Sequence, residues 1–372
     1  MSSVSPRARI GVCGAGWWSQ GWHLPQLARN PHAEIAAIVE VNPTPRSAIS
    51  HLESVAALGE RYKVRTFGSM DALLESDTHL DGLVICTSHA SHFELGCKAL
   101  ANGWHVLMEK PMTTDCGEAR QLEALARKSG LAFMVNNTAN WRAQAKAATE
   151  WVADGSIGKV EHVSCVMHSP LLWLFDDPAN TGWTQPSGTM VGNGFGYGQL
   201  SHLLAWVVRV ARIKPQSAFC AMGRSERSGA DMTDAAVICC EGGASVSVSG
   251  AGSVPGDAHS AHSVGKFISV RIFGSEGMIT YEGDDQKPQS GQLELRRRDG
   301  ETRALEGFQF ENYEADGDGP ESLQAFISAC RRQKDVFVGA DAEVGLQVVL
   351  ALDAMYRSAK SGCREDVCPE DE

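Results

Sequence analysis

Basic residues are in deficit: Lys and Arg number 33 against 45 Asp and Glu, for a formal net charge of −12. A chain of this sign is a poor match for nucleic acid or an anionic membrane, and its longest basic run is Arg296-Arg297-Arg298. No apolar run approaches the roughly 20 residues that a membrane helix needs. The opening Met1-Ser2-Ser3-Val4-Ser5-Pro6-Arg7-Ala8-Arg9 has no apolar stretch with a cleavage site behind it, which predicts no secretory signal. The 11 cysteines are odd in number and include no C-x-x-C pair. That excludes a disulfide framework or a zinc site as the expectation and points to reduced thiols in a cytoplasm. Cys239-Cys240 sits in an apolar run and reads as core, while Cys363 and Cys368 fall in an acidic tail expected to be unstructured. No internal repeat is present.

Apolar material is ample. Hydrophobic residues make up 43% of 372 residues and charged residues 21%, which suits a globular chain of two domains. Over the first 135 residues short apolar runs alternate with helical patterns. Arg9–Cys13, Glu34–Val41, Leu83–Thr87, His105–Glu109 and Ala132–Asn136 read as strands. The segments between them, including 51–61, read as helices. Ser91-x-x-Glu94 and Asp115-x-x-Glu118 have the form of capping boxes. Short buried strands separated by helices predict a doubly wound parallel sheet. Helix 141–154 then leads into longer, alternating runs at 160–168, 235–240, 244–250, 267–273, 278–281 and 292–298, which predict a mainly antiparallel sheet. Helices are expected around 199–211, 322–332 and 341–361, and linker-like stretches at 188–198, 250–265 and 283–291. The expected fold class is therefore α/β: a dinucleotide-binding domain over 1–138 and a second, open-sheet α/β domain over 139–372, with the closing helix packing back on the first.

The first strand runs into Gly14-Ala15-Gly16-Trp17-Trp18-Ser19, a G-x-G-x-x-G fingerprint with Ser in the third place. Gly14 permits the tight turn, Gly16 lets a pyrophosphate approach the backbone, and Ser19 lets helix and strand pack closely. The phosphates would meet the N–H groups of the helix start. Glu40, at the end of the second strand, can accept hydrogen bonds from ribose hydroxyls and would repel a 2′-phosphate, which favours NAD over NADP; Arg46 nearby would tolerate one. The plainer reading is a tight strand–helix turn with an exposed Glu. Glu109-Lys110-Pro111 closes another strand at the edge where parallel sheets hold ligands. Lys110 there can move a hydroxyl proton, or it is a surface lysine at a strand end.

Gly14-Ala15-Gly16, Thr87-Ser88-His89-Ala90-Ser91-His92, the run from Ala99 to Pro111 and the closing Ala354-Met355-Tyr356-Arg357-Ser358-Ala359-Lys360-Ser361-Gly362 resemble, in order, the Gfo/Idh/MocA oxidoreductases. That family includes glucose–fructose oxidoreductase and inositol dehydrogenase. The resemblance spans nearly the whole chain. It implies a Rossmann domain, a second domain with an open antiparallel sheet, a nicotinamide cofactor and a sugar or polyol substrate. It makes Lys110 the active-site lysine. It also places Gly14, Gly16, Trp17, Trp18, Ser19, Glu40, Thr87, Ser88, His92, Glu109 and Lys110 around the cofactor.

The family's Asp-x-x-x-His element falls on Gly198-Gln199-Leu200-Ser201-His202, so the His is present and the Asp is absent. His202 suits a general base, or it is a satisfied histidine on a helix face. Tyr197 and Gln199 are the nearby polar groups available to orient it or to bind the sugar. The alternating Gly192, Gly194, Gly196 and Gly198 either press against a ligand or form a flexible loop. Arg142 lies two residues beyond the place where relatives carry an arginine and is a further substrate candidate. His168, His259 and His262 are pocket candidates or solvated histidines. Trp17, Trp18 and Trp173 wall a sugar site or simply pack.

The activity implied is hydride transfer between NAD and a hydroxyl or carbonyl of a sugar, polyol or sugar derivative, with Lys110 and His202 handling the proton and no metal. A transient redox step within an elimination, hydrolysis or isomerisation uses the same parts. A non-catalytic dinucleotide-binding sensor is the reading from another class, favoured by the missing Asp and opposed by Glu-Lys-Pro and His202. The unpaired edges and apolar face of an open sheet predict a homodimer or homotetramer.

Overall fold

The computed structural model describes residues 7–178, 194–256, 264–287, 289–310 and 320–367. Two compact units are present. The first comprises the described residues of Met1–Thr113, Glu118–Thr138 and Glu314–Ala342. Its six strands are β1 (Ala8–Cys13), β2 (Ala33–Val39), β3 (Arg65–Phe67), β4 (Gly82–Ile85), β5 (His105–Met108) and β6 (Phe133–Val135). They pair in the order β3-β2-β1-β4-β5-β6, and every pairing is parallel. This is the doubly wound order, with its switch point between β1 and β4. All four residues of β4 and five of six in β1 are buried, as a sheet covered on both faces requires.

The helices of this unit are α1 (Leu24–Arg29), α2 (Val55–Tyr62), α3 (Met70–Leu74), α4 (His92–Ala101) and α5 (Cys116–Ser129). The returning chain joins them: Val135 N–H donates to the Ala340 carbonyl (3.0 Å), and Gly82 has no room for a side chain beneath Cys330 and Phe326. The helix 51–61 expected from sequence begins at Val55, capped by the Ser54 hydroxyl. The capping box at Ser91 is not formed. Its hydroxyl turns instead to Thr87 Oγ1 (2.8 Å) and the Ser88 carbonyl (2.9 Å), because a 3-10 turn (His89–Ser91) precedes α4.

The second unit comprises the described residues of Thr114–Gly117, Ala139–Tyr313 and Glu343–Glu372. It is built on nine strands: β7 (Val160–His168), β8 (Pro215–Arg224), β9 (Asp231–Cys240), β10 (Ser245–Ala251), β11 (Phe267–Gly274), β12 (Gly277–Asp284), β13 (Gly291–Arg297), β14 (Thr302–Phe308) and β15 (Glu365–Asp366). Their order is β14-β13-β12-β11-β7-β10-β9-β8-β15. All neighbours run antiparallel except β7 and β10. Along β7 burial alternates from His162 onward, with Val163, Cys165 and Met167 inward. Trp206, on a helix of this unit, stacks on Tyr281 with centroids 4.5 Å apart.

Its helices complete the chain-order set as α6 (Ala143–Ala153), α7 (Leu172–Phe175), α8 (Ser201–Ala211) and α10 (Ala342–Ser361), with α9 (Glu321–Cys330) belonging to the first unit. Two expectations are corrected. The acidic tail is ordered through Cys363 into β15, which pairs with β8; Cys368 lies outside the described residues. Of the adjacent cysteines, Cys240 is core but Cys239 is half-buried. All described cysteines are free thiols. Among the described residues no helix is long and apolar enough to cross a membrane.

Candidate functional site

The turn after β1 behaves as its sequence predicts. Gly14 has φ +95°, and a Cβ there would lie 2.2 Å from the Cys86 carbonyl oxygen. A Cβ on Gly16, by contrast, would meet no protein atom within 4 Å. One glycine is required by the fold, and the other leaves a cradle open. Ser19 is fully buried under the first helical turn. Glu40, one residue past β2, accepts the Ala15 N–H (2.7 Å) and the Asn42 N–H (2.9 Å), one on each oxygen. Its carboxylate therefore braces the glycine turn as well as standing at the strand end. Thr87 and Ser88 lie beyond β4 and are partly or fully exposed; Arg46 is exposed.

Glu109 is the electrostatic centre of this unit. Its Oε1 receives three donors: Trp18 Nε1 (2.9 Å), His23 Nε2 (2.8 Å) and Asn136 Nδ2 (2.7 Å). A carboxylate oxygen can only accept, so the His23 proton is on Nε2. Burial by itself would raise the Glu109 pKa. The His23 hydrogen bond and charge, Asn136 and the Lys110 charge outweigh it and bring it down to about 2. Lys110 follows directly, and the Lys110–Pro111 peptide is cis.

Sequence reasoning missed His23 and Asn136. An α-helical repeat separates positions 18 and 23 onto different faces. Here Ser19–His23 forms a π-turn, whose longer i→i+5 period carries both side chains to one carboxylate. Asn136 had a usable signal, a polar residue at the carboxyl end of a parallel strand.

His92, expected at the cofactor, is fully buried, and its Nδ1 donates to the Pro111 carbonyl (2.9 Å). It supports the bend after Lys110 from below and offers no exposed contact. His89 lies beside it, with rings 5.7 Å apart. Burial, then His92, then the Lys110 charge push its pKa well below the usual value. Burial also lowers that of His92. Both rings are therefore neutral at neutral pH. Trp17 packs edge-on to Trp18, which stacks on Trp22.

In the second unit the residues before α8 form another π-turn (Gly196–Leu200). His202 is the second residue of α8 and is half-buried; Gln199 is half-buried on the turn. Two sequence expectations are corrected here. Tyr197 is 0% exposed, its ring packed 4.9 Å from Tyr356, so it belongs to the core. Arg142 is buried with its guanidinium donating to the Gln309 and Phe310 carbonyls, so it clamps the chain after β14.

Gly194 and Gly196 are not a flexible stretch. A Cβ on Gly194 would fall 1.7 Å from Asp231 Oδ1, and one on Gly196 would fall 2.8 Å from the Tyr356 ring. Gly192, His259 and His262 lie outside the described residues. His168 packs against Phe267 (6.4 Å), and Trp173 donates to the Pro170 carbonyl (3.1 Å). Among the described residues no cluster of His, Cys, Asp or Glu could hold a metal.

A doubly wound sheet with an open glycine cradle at its switch point, and a largely buried Glu109 followed by Lys110 at the carboxyl edge, defines a dinucleotide-binding protein. Two successive family models fix which kind. The oxidoreductase family with an NAD-binding Rossmann fold matches residues 8–137, and the GFO/IDH/MocA C-terminal domain matches residues 145–280. The chain belongs to the GFO/IDH/MocA oxidoreductase family.

Among similar proteins, the uncharacterized oxidoreductase YdgJ of Escherichia coli is 28% identical over 54% of this chain and 53% of its own length. A dTDP-3,4-didehydro-2,6-dideoxy-alpha-D-glucose 3-reductase of Streptomyces antibioticus is 34% identical over 45% of this chain and 48% of its own. The matches thus span about half the length of these curated relatives. The WlbA dehydrogenase of Bordetella pertussis, solved with NADH and UDP-GlcNAcA, shares the fold with a TM-score of 0.69 at 21% identity, over 98% of this chain and 100% of that one.

Proposed function

We propose that the protein is a cytoplasmic NAD-dependent oxidoreductase acting on a hydroxyl or carbonyl of a sugar, polyol or sugar derivative. The observation that carries this reading is Glu109: buried, charged, held by three donors and joined to Lys110 at the carboxyl edge of the parallel sheet. The residues present fit NAD. Gly16 leaves the phosphate approach open, and Glu40 keeps unused lone pairs for the ribose hydroxyls. When bound, NAD supplies the hydride acceptor or donor.

The remaining chemistry is proton handling by this chain. Lys110 binds the reacting oxygen and gives or takes its proton. His202, in the second unit, is the second acid–base group. No carboxylate stands at position 198, so Lys110 carries the larger share. The nucleotide-sugar chemistry named for the relatives favours a sugar derivative as substrate. A homodimer or homotetramer is the working assembly.

The test follows reduced nicotinamide by its near-ultraviolet absorbance with NAD and a panel of sugars, polyols and sugar acids. On the substrate found, Lys110→Ala should lower kcat about 10²–10⁴-fold with NAD affinity little changed, and His202→Ala should lower it less. Near-wild-type turnover in Lys110→Ala overturns the assignment. Silence across the whole panel with intact NAD binding favours a dinucleotide-binding sensor.

A further inference from the structure

We propose that Asp231 and Tyr356 are positioning residues for His202, acting through the π-turn that leads into α8; the inference rests on the role given to His202 above. Asp231 Oδ2 accepts the Gly196 N–H (2.6 Å), at the first residue of that turn. Its other oxygen accepts the Tyr356 hydroxyl proton (2.5 Å). The same hydroxyl oxygen lies 3.4 Å from the Tyr197 N–H, one residue further along. One carboxylate and one phenol therefore hold two successive backbone amides, from β9 and from α10.

A helix start has N–H groups without partners inside the helix, and a buried one must find them elsewhere. A carboxylate there also meets the positive end of the peptide dipoles. The packing leaves no slack, since neither Gly194 nor Gly196 has room for a methyl group. Asp234, three residues along β9, is buried beside Asp231. Burial and its closeness to Asp231 raise its pKa well above the usual range.

From Gly196 to His202 the chain is continuously helical: the turn closes at Leu200, Ser201 Oγ donates back to the Tyr197 carbonyl (2.8 Å), and His202 follows. Any rotation of the turn therefore rotates the imidazole. A misplacement of about 1 Å can cost on the order of 10²-fold in rate.

The test uses the full-length protein with NAD bound and two mild variants, Tyr356→Phe and Asp231→Asn. Backbone hydrogen exchange over 194–205 is measured beside kcat, KM and NAD affinity. Exchange over this segment should rise about tenfold in both variants. kcat should fall about tenfold or more, with KM and NAD affinity held within about twofold. Unchanged exchange in both variants overturns the brace. Raised exchange with unchanged kcat overturns the positioning role and leaves the oxidoreductase reading standing. Exchange needs no substrate, so a wild type silent on every sugar sinks the proposed activity alone, and raised exchange there still supports the brace.

Discussion

Glu109 is an acid whose environment opposes itself. Burial disfavours its charge, while three donors on one oxygen and the neighbouring His23 and Lys110 favour it, and the donors win. The sign of the pH effect follows. Its pKa falls from 4.5 to about 2 on folding, so the stabilisation is complete above pH 4.5 and is lost as pH falls toward 2. It amounts to about 3 kcal/mol in order of magnitude. Glu109→Gln should lower Tm at pH 7, and the gap to wild type should close as the pH approaches 2. A gap independent of pH would mean the charge is not what the donors hold. His89 and His92 act in the same direction at higher pH. Their folded pKa values are depressed by burial, so the unfolded chain takes up protons below about pH 6.5 that the folded chain refuses. Stability should begin to fall there, before the Glu109 contribution is lost.

The strand–turn–helix unit allows two glycines to be separated by experiment. Gly14→Ala meets both a positive φ and the Cys86 carbonyl at 2.2 Å, so the turn must open and Tm should drop markedly. Gly16→Ala meets no protein atom, so Tm should hold while NAD affinity falls, because the methyl group occupies the phosphate approach. Equal loss of NAD binding and unchanged Tm in both variants would contradict this division. This unit was largely legible because most of its strands are short, mainly apolar runs and the glycine turn has its own signature; β3 (RTF) is three residues long, carries Arg65 and Thr66, and was not read as a strand. Other elements were not legible. β8 (PQSAFCAMGR) opens on Pro and mixes small residues with an outward Phe219, so no alternating pattern marks it. The π-turns at Ser19–His23 and Gly196–Leu200 follow no 3.6-residue repeat. That is why His23 stayed hidden and why Tyr197, polar by type, was placed in the site when it faces the core. The partners of Arg142 lie far along the chain, at Gln309 and Phe310, where local sequence carries no sign of them.

At the scale of the whole molecule, the outward face of the nine-stranded sheet exposes apolar side chains on two neighbouring strands. Phe219 is 50% exposed and Val237 49%, and the two sit directly opposite each other on β8 and β9. Ala221 and Ala235 continue the same row. Single exposed apolar residues are ordinary, but an in-register row of them on a sheet face is a surface suited to a second copy of the same face. A charge there would be buried without a partner on association, at a cost of several kcal/mol. Val237→Glu points away from the monomer's own core and should leave Tm near that of the monomeric wild-type fold. Light scattering coupled to size exclusion should show the wild type at a multiple of 39.9 kDa and Val237→Glu shifted toward the single-chain mass. A wild type that elutes as a monomer at micromolar concentration, or a variant that keeps the wild-type mass, would rule this face out as the assembly surface.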